Sequence, residues 1–381
     1  MADQLEREYP IPVPPLQFDQ KNEVFKRARW DPEIMSWARP FLENVKYGDR
    51  LGYRRHDCAL RMGAWNLEHD MACGNSLSNS RLYSWSRVSE RLKPYIEAGE
   101  RMSSSPQKNS KIIKQAARFL GADLVGICGV HPHLIYSHEY NTLTQKHSPL
   151  KLPEDHTNAI VMAVEMDYRA ISYSPNAIAS AATGFGYSMM AFVANSVAIF
   201  IRSMGYDAAP CGNDTALSIP LAMAAGLGEL GRMGLLITPQ FGPRVRFCKV
   251  FTNMPLVHDT FRPFGVKKFC ENCLKCAGSC PSHAISYKPP TIQGVTISNH
   301  SGVLKWYIDP EKCYRFWADN RMDCTTCVYA CPFNKPQGIL HDGVRFVIRT
   351  IPVLNRLIAK TDDLLGYGKP KHGKEFWNIT H

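Results

Sequence analysis

The chain has 381 residues, with 45% apolar and 21% charged side chains and a net charge of +11. That length allows two or three domains at roughly 150 residues each and a full core without disulfide staples, and the composition excludes a disordered or collagen-like chain. A basic balance suits nucleic acid, an anionic membrane surface or an acidic partner, but no run of consecutive Lys/Arg forms a nucleic-acid arm.

Met1-Ala2-Asp3-Gln4 has neither the basic start nor the apolar stretch of a signal peptide, so it reads as a cytosolic start or a mature chain given a start Met. Pro10, Pro12, Pro14 and Pro15 make residues 1–20 an extended arm. Residues 21–105 are polar, with Trp30, Trp37, Trp65 and Trp85, and read as short helices and long loops. Residues 1–105 are therefore expected to be an arm and covering segment. From Lys111 the pattern sharpens: Ile112, Ile113, Ala116, Ala117 and Leu120 fall at helical spacing, and Gly121 ends that helix. Strands are expected at 123–128, 158–166, 234–238 and 245–252, and apolar helices at 188–204 and 217–227. The uncharged run from Ala170 to Ile201 is interrupted by Pro175, Gly184 and Gly186, and reads as a loop and then a buried helix, not a membrane span. This alternation makes 106–262 an α/β block. A cysteine-dense block occupies 263–340, and a basic, helix-rich segment closes the chain at 341–381.

Thirteen cysteines are present, eight of them between Cys270 and Cys331. In a chain this long, clustered cysteines read as metal ligands and not as a disulfide framework. Cys270-x2-Cys273-x2-Cys276-x3-Cys280-Pro281 has the bacterial ferredoxin spacing, in which the fourth thiolate serves the other cluster. Cys324-x2-Cys327-x3-Cys331-Pro332 repeats its end, and Cys313 supplies the missing thiolate from upstream. One [4Fe–4S] cluster is thus assigned to Cys270, Cys273, Cys276 and Cys331, and a second to Cys280, Cys313, Cys324 and Cys327. Zinc also takes thiolates in close pairs, but it explains neither the three-cysteine run nor the two Cys-Pro endings.

Gly226-Leu-Gly-Glu-Leu-Gly231 matches a dinucleotide fingerprint but follows a helix and precedes a strand, the reverse of what that motif needs, so it reads as a turn. His131, His133 and His138 read as solvated loop histidines. No Asp-x-His-x-x-Gly pattern offers a lower histidine ligand to a cobalamin.

Several stretches together carry a family resemblance. They are Glu165-Met-Asp-Tyr168, Gly186-Tyr187, Ile201-Arg-Ser-Met-Gly-Tyr206, Pro210-Cys-Gly-Asn213-Asp214, Ala225 to Arg232, Ile237 to Arg246, Phe251 to Leu256 and the ferredoxin block. In that order, over roughly residues 110–340, they resemble the corrinoid-dependent reductive dehalogenases of respiratory type. The resemblance implies an α+β fold, with a nitroreductase-like α/β corrinoid-binding core fused to a two-cluster ferredoxin-like domain. It implies a base-off cobalamin or related cobamide, in keeping with the missing histidine motif. Tyr187 then falls at the acid tyrosine, Asn213 at the pocket asparagine, and Arg246 at the basic residue that polarises the tyrosine. Arg232 and Arg244 compete with Arg246, and Tyr168 and Tyr173 with Tyr187. Reducing a C–Cl bond needs two electrons and a proton; tyrosine donates a proton without being reduced, and a guanidinium, charged even when buried, stabilises the phenolate left behind. Without the resemblance, a tyrosine beginning an apolar helix reads as packing.

Trp37 and Trp317 are candidates for an apolar wall around a halogenated substrate, although most tryptophans are simply core. The short chain leans toward a small organohalide, a chloroalkane. The resemblance further implies a low-potential electron donor and a small membrane-anchor protein, without nucleic acid; a homodimer is a candidate assembly. It also implies export, through a twin-arginine signal since removed, to the outer face of the cytoplasmic membrane, the alternative being the cytoplasm. Two rival functions differ in their residues. An epoxyqueuosine reductase would carry Asp at Tyr187, Lys at Arg232 and a helical-repeat tail. A simple iron–sulfur electron carrier leaves the 250 residues before the clusters without a purpose.

Overall fold

The computed structural model describes residues 2–10, 16–43, 47–72, 81–98, 100–371 and 376–378. A helix at Ala2–Glu8 stands where the prolines predict an extended arm; Pro12, Pro14 and Pro15 lie outside the described residues. Helices α1 (Pro32–Glu43) and α2 (Arg55–Leu67) follow, and α2 runs on into a π-helical turn at Glu68–Ala72. Helix α3 (Pro106–Phe119) begins as its sequence directs: the Ser105 side chain accepts from the Lys108 N–H, and Pro106 takes the first helical position, where no N–H is needed.

The strands are β1 (Leu124–Gly129), β2 (His138–Tyr140), β3 (His147–Pro149) and β4 (Asn158–Glu165). Helix α4 (Ala177–Ser203), β5 (Ala208–Cys211), α5 (Ser218–Ala224), β6 (Glu229–Leu230), β7 (Leu236–Ile237) and β8 (Val245–Thr252) come next. The main sheet has the order β1-β4-β8-β5, and each neighbouring pair is antiparallel. Alternation of helices with strands therefore builds an antiparallel sheet here, and the fold is mixed helix and sheet in the α+β sense.

Side chains along a strand alternate between faces, and β4 uses both. Ala159, Val161 and Ala163 join one core with Phe247, Phe251 and Leu221; Ile160, Met162 and Val164 join another with Cys248 and Val250. The second core is closed by α4, through Met190, Val193, Ala194, Val197 and Ile201, and by Ile113 and Ala117 of α3. A helix of 27 residues with such an apolar sequence is long enough to cross a membrane, but its buried face is the lid of the sheet.

Helix α4 starts well before the predicted Ser188. Asn176 caps it, its side chain accepting from the N–H groups of Ile178 and Ala179 at 3.0 and 3.4 Å. The two glycines that suggest a loop sit inside the helix because neighbours press on them. A Cβ at Gly184 would lie 2.2 Å from Trp65, and one at Gly186 would lie 2.9 Å from Arg246.

The cysteine block is carried on short helices: α6 (Val266–Asn272), α7 (Lys275–Ser279), α8 (Pro310–Asn320) and α9 (Thr326–Ala330). It is pinned to the sheet region by Glu229, whose carboxylate accepts the N–H groups of Phe264, Val266 and Lys267 at the start of α6. Glu229 begins β6 inside the glycine-rich stretch, whose first residues form the turn from α5; Gly226 has φ of 73°, and a Cβ there would meet Thr260 O at 2.5 Å. The tail folds as α10 (Ile339–Thr350) and α11 (Asn355–Leu364), consistent with its helical pattern.

Candidate active site

Tyr187 stands on α4, half-buried, and three parts of the chain converge on it. Asn213, exposed on the loop after β5, donates from Nδ2 to Tyr187 Oη at 2.8 Å. Arg246, on β8, places its guanidinium 4.9 Å from the centre of the Tyr187 ring. Trp65 of α2 stacks on the ring at 5.2 Å with 22° between planes, and His69 stacks on Trp65 in turn. The tyrosine ring thus contacts both an indole and a guanidinium, with its hydroxyl held by an amide.

The competing arginines and tyrosines are employed elsewhere. Arg232 donates to the carbonyls of Cys270, Ser286 and Lys288 and covers the Trp306 ring, so it braces the cysteine block. Arg244 pairs with Glu165 at 2.8 Å and binds Phe241 O, Asn334 Oδ1 and Lys335 O. Tyr168 faces Arg244, and Tyr173 meets Phe376 edge-on. Of the three arginines, Arg246 is the one whose guanidinium lies over Tyr187.

The Asn213 loop is set by a buried lysine. Lys249 Nζ donates to Gly212 O at 2.6 Å, Ala216 O at 3.0 Å and Ser218 Oγ at 3.0 Å. Burial pushes its pKa below the ordinary lysine value, against the opposing pull of Cys211 and Asp214. Glu68 opens the π-helical turn that follows α2, its N–H donating to Ser188 Oγ. Burial, reinforced by Asp214, pushes the Glu68 carboxyl up to about 8. Its Oε2 has no hydrogen-bond partner, nor do Tyr83 Oη, Thr183 Oγ1 and Arg246 Nε.

Trp37 and Trp317 are not brought to Tyr187 by any described ring contact. They pack with Tyr314, Phe25 and Phe41 in an aromatic cluster between α1 and α8. The tryptophan on the tyrosine is Trp65. In the sequence Trp65 stands only among the covering aromatics, and no motif marks Glu68, His69 or Lys249. A signal for Trp65 existed in the glycine of α4 that must be small to admit it.

The eight cysteines fall into two neighbourhoods, and all are unpaired thiols. Burial first, then the thiols of Cys270, Cys276 and Cys273, oppose ionisation of Cys331. Cys313 is pushed up to about 12 by burial, with Cys324 and Cys280 next to it. Cys327 feels Cys324, Cys313, Cys276 and Cys280, so Cys276 and Cys327 lie where the two groups meet. Cys324 is held against the start of α4: Ser174 Oγ lies 3.8 Å and Thr326 Oγ1 3.2 Å from its sulfur, and Ser174 Oγ accepts the Thr325 N–H. Soft donors that resist ionising together suit a centre that brings its own positive charge, as iron does.

Residues 269–335 match the family model of the 4Fe-4S dicluster domain. The tetrachloroethene reductive dehalogenase of Desulfitobacterium hafniense is 36% identical, over 86% of this chain and 73% of its own length. That of Sulfurospirillum multivorans is 36% identical over 88% of this chain and 74% of its own. The chain belongs to the reductive dehalogenases. A reductive dehalogenase is an oxidoreductase acting on carbon–halogen bonds, and this one carries an iron–sulfur domain. The solved catabolic reductive dehalogenase NpRdhA shares the fold, with a TM-score of 0.71 at 24% identity over 95% of this chain. This reductive dehalogenase spans about half the length of that protein, 48%.

Proposed function

We propose that this chain removes halide reductively from a small chlorinated aliphatic compound, with Tyr187 as the proton donor. The observation that carries the reading is the Asn213–Tyr187 hydrogen bond beneath the Arg246 guanidinium. The balance is one C–Cl bond broken and one C–H bond formed, with two electrons and one proton taken up and chloride released. Tyr187 Oη gives the proton to the carbon as the halide departs. Arg246 stabilises the phenolate electrostatically, and Asn213 Nδ2 donates to the same oxygen and fixes its direction. Trp65 stacks on the same ring and holds its orientation.

A corrinoid fits this place. The unpartnered Thr183 Oγ1, Glu68 Oε2, Tyr83 Oη and Arg246 Nε offer polar atoms to the amide-rimmed edge of such a ring. Held there, it would supply the low-potential electrons for cleavage of the carbon–halogen bond. One solved relative of the same fold is described in terms of B12-dependent dehalogenation. A nitroreductase-like core and a base-off cobamide belong to this proposal. So do two [4Fe–4S] clusters, one on Cys270, Cys273, Cys276 and Cys331 and one on Cys280, Cys313, Cys324 and Cys327, fed by a low-potential donor. The contact of Cys324 with Ser174, at the foot of the helix that bears Tyr187, supports the second group as the nearer. From Ala177 to Tyr187 that helix rises roughly 15 Å.

The curated relatives are named for tetrachloroethene, so chlorinated ethenes join chloroalkanes as substrates to try. Trp37 and Trp317 would border the pocket only through their own cluster with Tyr314. Export, a small membrane anchor and a homodimer complete the reading. The test is chloride release by anaerobically prepared protein, wild type against Tyr187→Phe. A fall of about 10²–10⁴-fold is expected if the hydroxyl is the acid; equal rates with equal iron content would overturn the role of Tyr187.

A further inference from the structure

Away from the candidate active site, Asp19, His138 and His147 each bring one donor atom into a group whose members all lie within 4.8 Å of one another. We propose that they form a zinc-type divalent-cation site that staples the amino-terminal arm to the β2–β3 hairpin.

The hairpin itself sets the two imidazoles side by side. His147 on β3 pairs with Tyr140 on β2, and His138 lies two residues from Tyr140, on the same face. Their ring centres are 4.8 Å apart. The carboxylate comes from a different part of the chain and is held on both flanks. Phe18 O accepts the Ser137 N–H at 3.0 Å, and Gln20 Oε1 accepts the Tyr140 N–H at 3.1 Å. Asp19 Oδ1 also accepts the Lys21 N–H at 2.9 Å, which fixes the carboxylate's rotation.

His147 Nε2 lies 3.0 Å from both oxygens of Asp19. Ser137 Oγ, 3.1 Å from His138 Nδ1, orients the second ring as an outer hydrogen bond does for a metal-binding imidazole. Lys21, whose N–H holds Asp19, turns its ammonium to aromatic rings: Nζ sits 4.7 Å from the centre of Trp30 and 6.0 Å from that of Tyr140. Two nitrogens and one carboxylate oxygen, open to water for a fourth position, are a donor set for zinc at about 2.0–2.2 Å per bond.

The staple has a consequence for the fold. The root of the hairpin is bonded to the segment after Asn213, through Tyr136 N to Thr215 O and Leu217 N to Leu134 O. A cation here ties the covering arm to the body through that root.

The experiment uses anaerobically purified, iron-loaded full chain, washed with a weak chelator and then titrated with zinc. Wild type should retain one zinc per chain beyond its iron, with nitrogen and oxygen neighbours by zinc X-ray absorption, and should melt at higher temperature with zinc than without. His138→Ala/His147→Ala should bind zinc at least tenfold more weakly and lose the thermal shift while keeping its iron. Asp19→Asn should fall between them. Equal zinc in wild type and the double variant, or a sulfur shell around the bound zinc, would overturn the proposal.

Discussion

At the scale of single residues, chemistry and packing are separable at this site. Tyr187 and Asn213 meet through one hydrogen bond, but Arg246 lies over the face of the ring, with its Nε unpartnered. Arg246→Lys keeps a positive charge but loses the planar group over the ring, so halide release should fall by about 10-fold or more while iron content is kept. Glu68 makes a pH prediction. Its carboxyl is raised from 4.5 to about 8 in the fold. The fold therefore prefers the protonated form, and the contribution of Glu68 to stability is full below about pH 4.5 and lost as pH rises through about 8. Glu68→Gln is neutral at every pH. Melting temperature against pH, compared between wild type and this variant, should show a shallower decline for the variant across that window. A decline of the same slope would place the titration elsewhere.

At the scale of elements, the support of the site lies in a buried ammonium and a missing side chain. Lys249 satisfies two carbonyls and a hydroxyl of the loop that presents Asn213. Lys249→Met leaves those acceptors buried without a donor, and chemical denaturation should show a loss of about 2–4 kcal/mol. Activity should fall with it, because Asn213 loses its frame. Gly186→Ala sets a methyl 2.9 Å from Arg246 Cγ and should shift that side chain off the tyrosine, at a cost of about 1–3 kcal/mol.

The same elements show what a sequence discloses. The strands at 124–129, 158–165 and 245–252 were legible because β-branched and apolar runs this long are hard to place otherwise. The first turns of α4 were not, because glycine and proline signal a loop unless the neighbours that require small residues are known. The β2–β3 hairpin was missed since each strand has three residues and carries histidines, not an apolar alternation. The Tyr187, Asn213 and Arg246 group was reached through a family resemblance; their meeting depends on long-range approach of α4, the loop after β5, and β8, which no local pattern records.

At the scale of the molecule, the iron–sulfur domain is packed against the body that carries Tyr187. The cysteine helices are fastened to the sheet region at Glu229 and Arg232, and to the start of α4 at Ser174 and Ser180, whose hydroxyl donates to Asp323. Relative placement of the iron–sulfur region and Tyr187 is thus fixed by buried polar contacts and not by a linker. Cys327→Ser, at the meeting of the two thiol groups, should cost about half the iron and slow halide release, as measured by iron assay and chloride detection. On the proposed reading these parts act together as a corrinoid-dependent dehalogenase with Tyr187 as its acid. The most direct measurement is chloride release from tetrachloroethene by anaerobically reconstituted protein, with iron and cobalt counted in the same sample. About eight iron and about one cobalt per chain are expected, with chloride release in wild type that collapses in Tyr187→Phe at unchanged metal content. About eight iron with no cobalt after reconstitution and no chloride would contradict it.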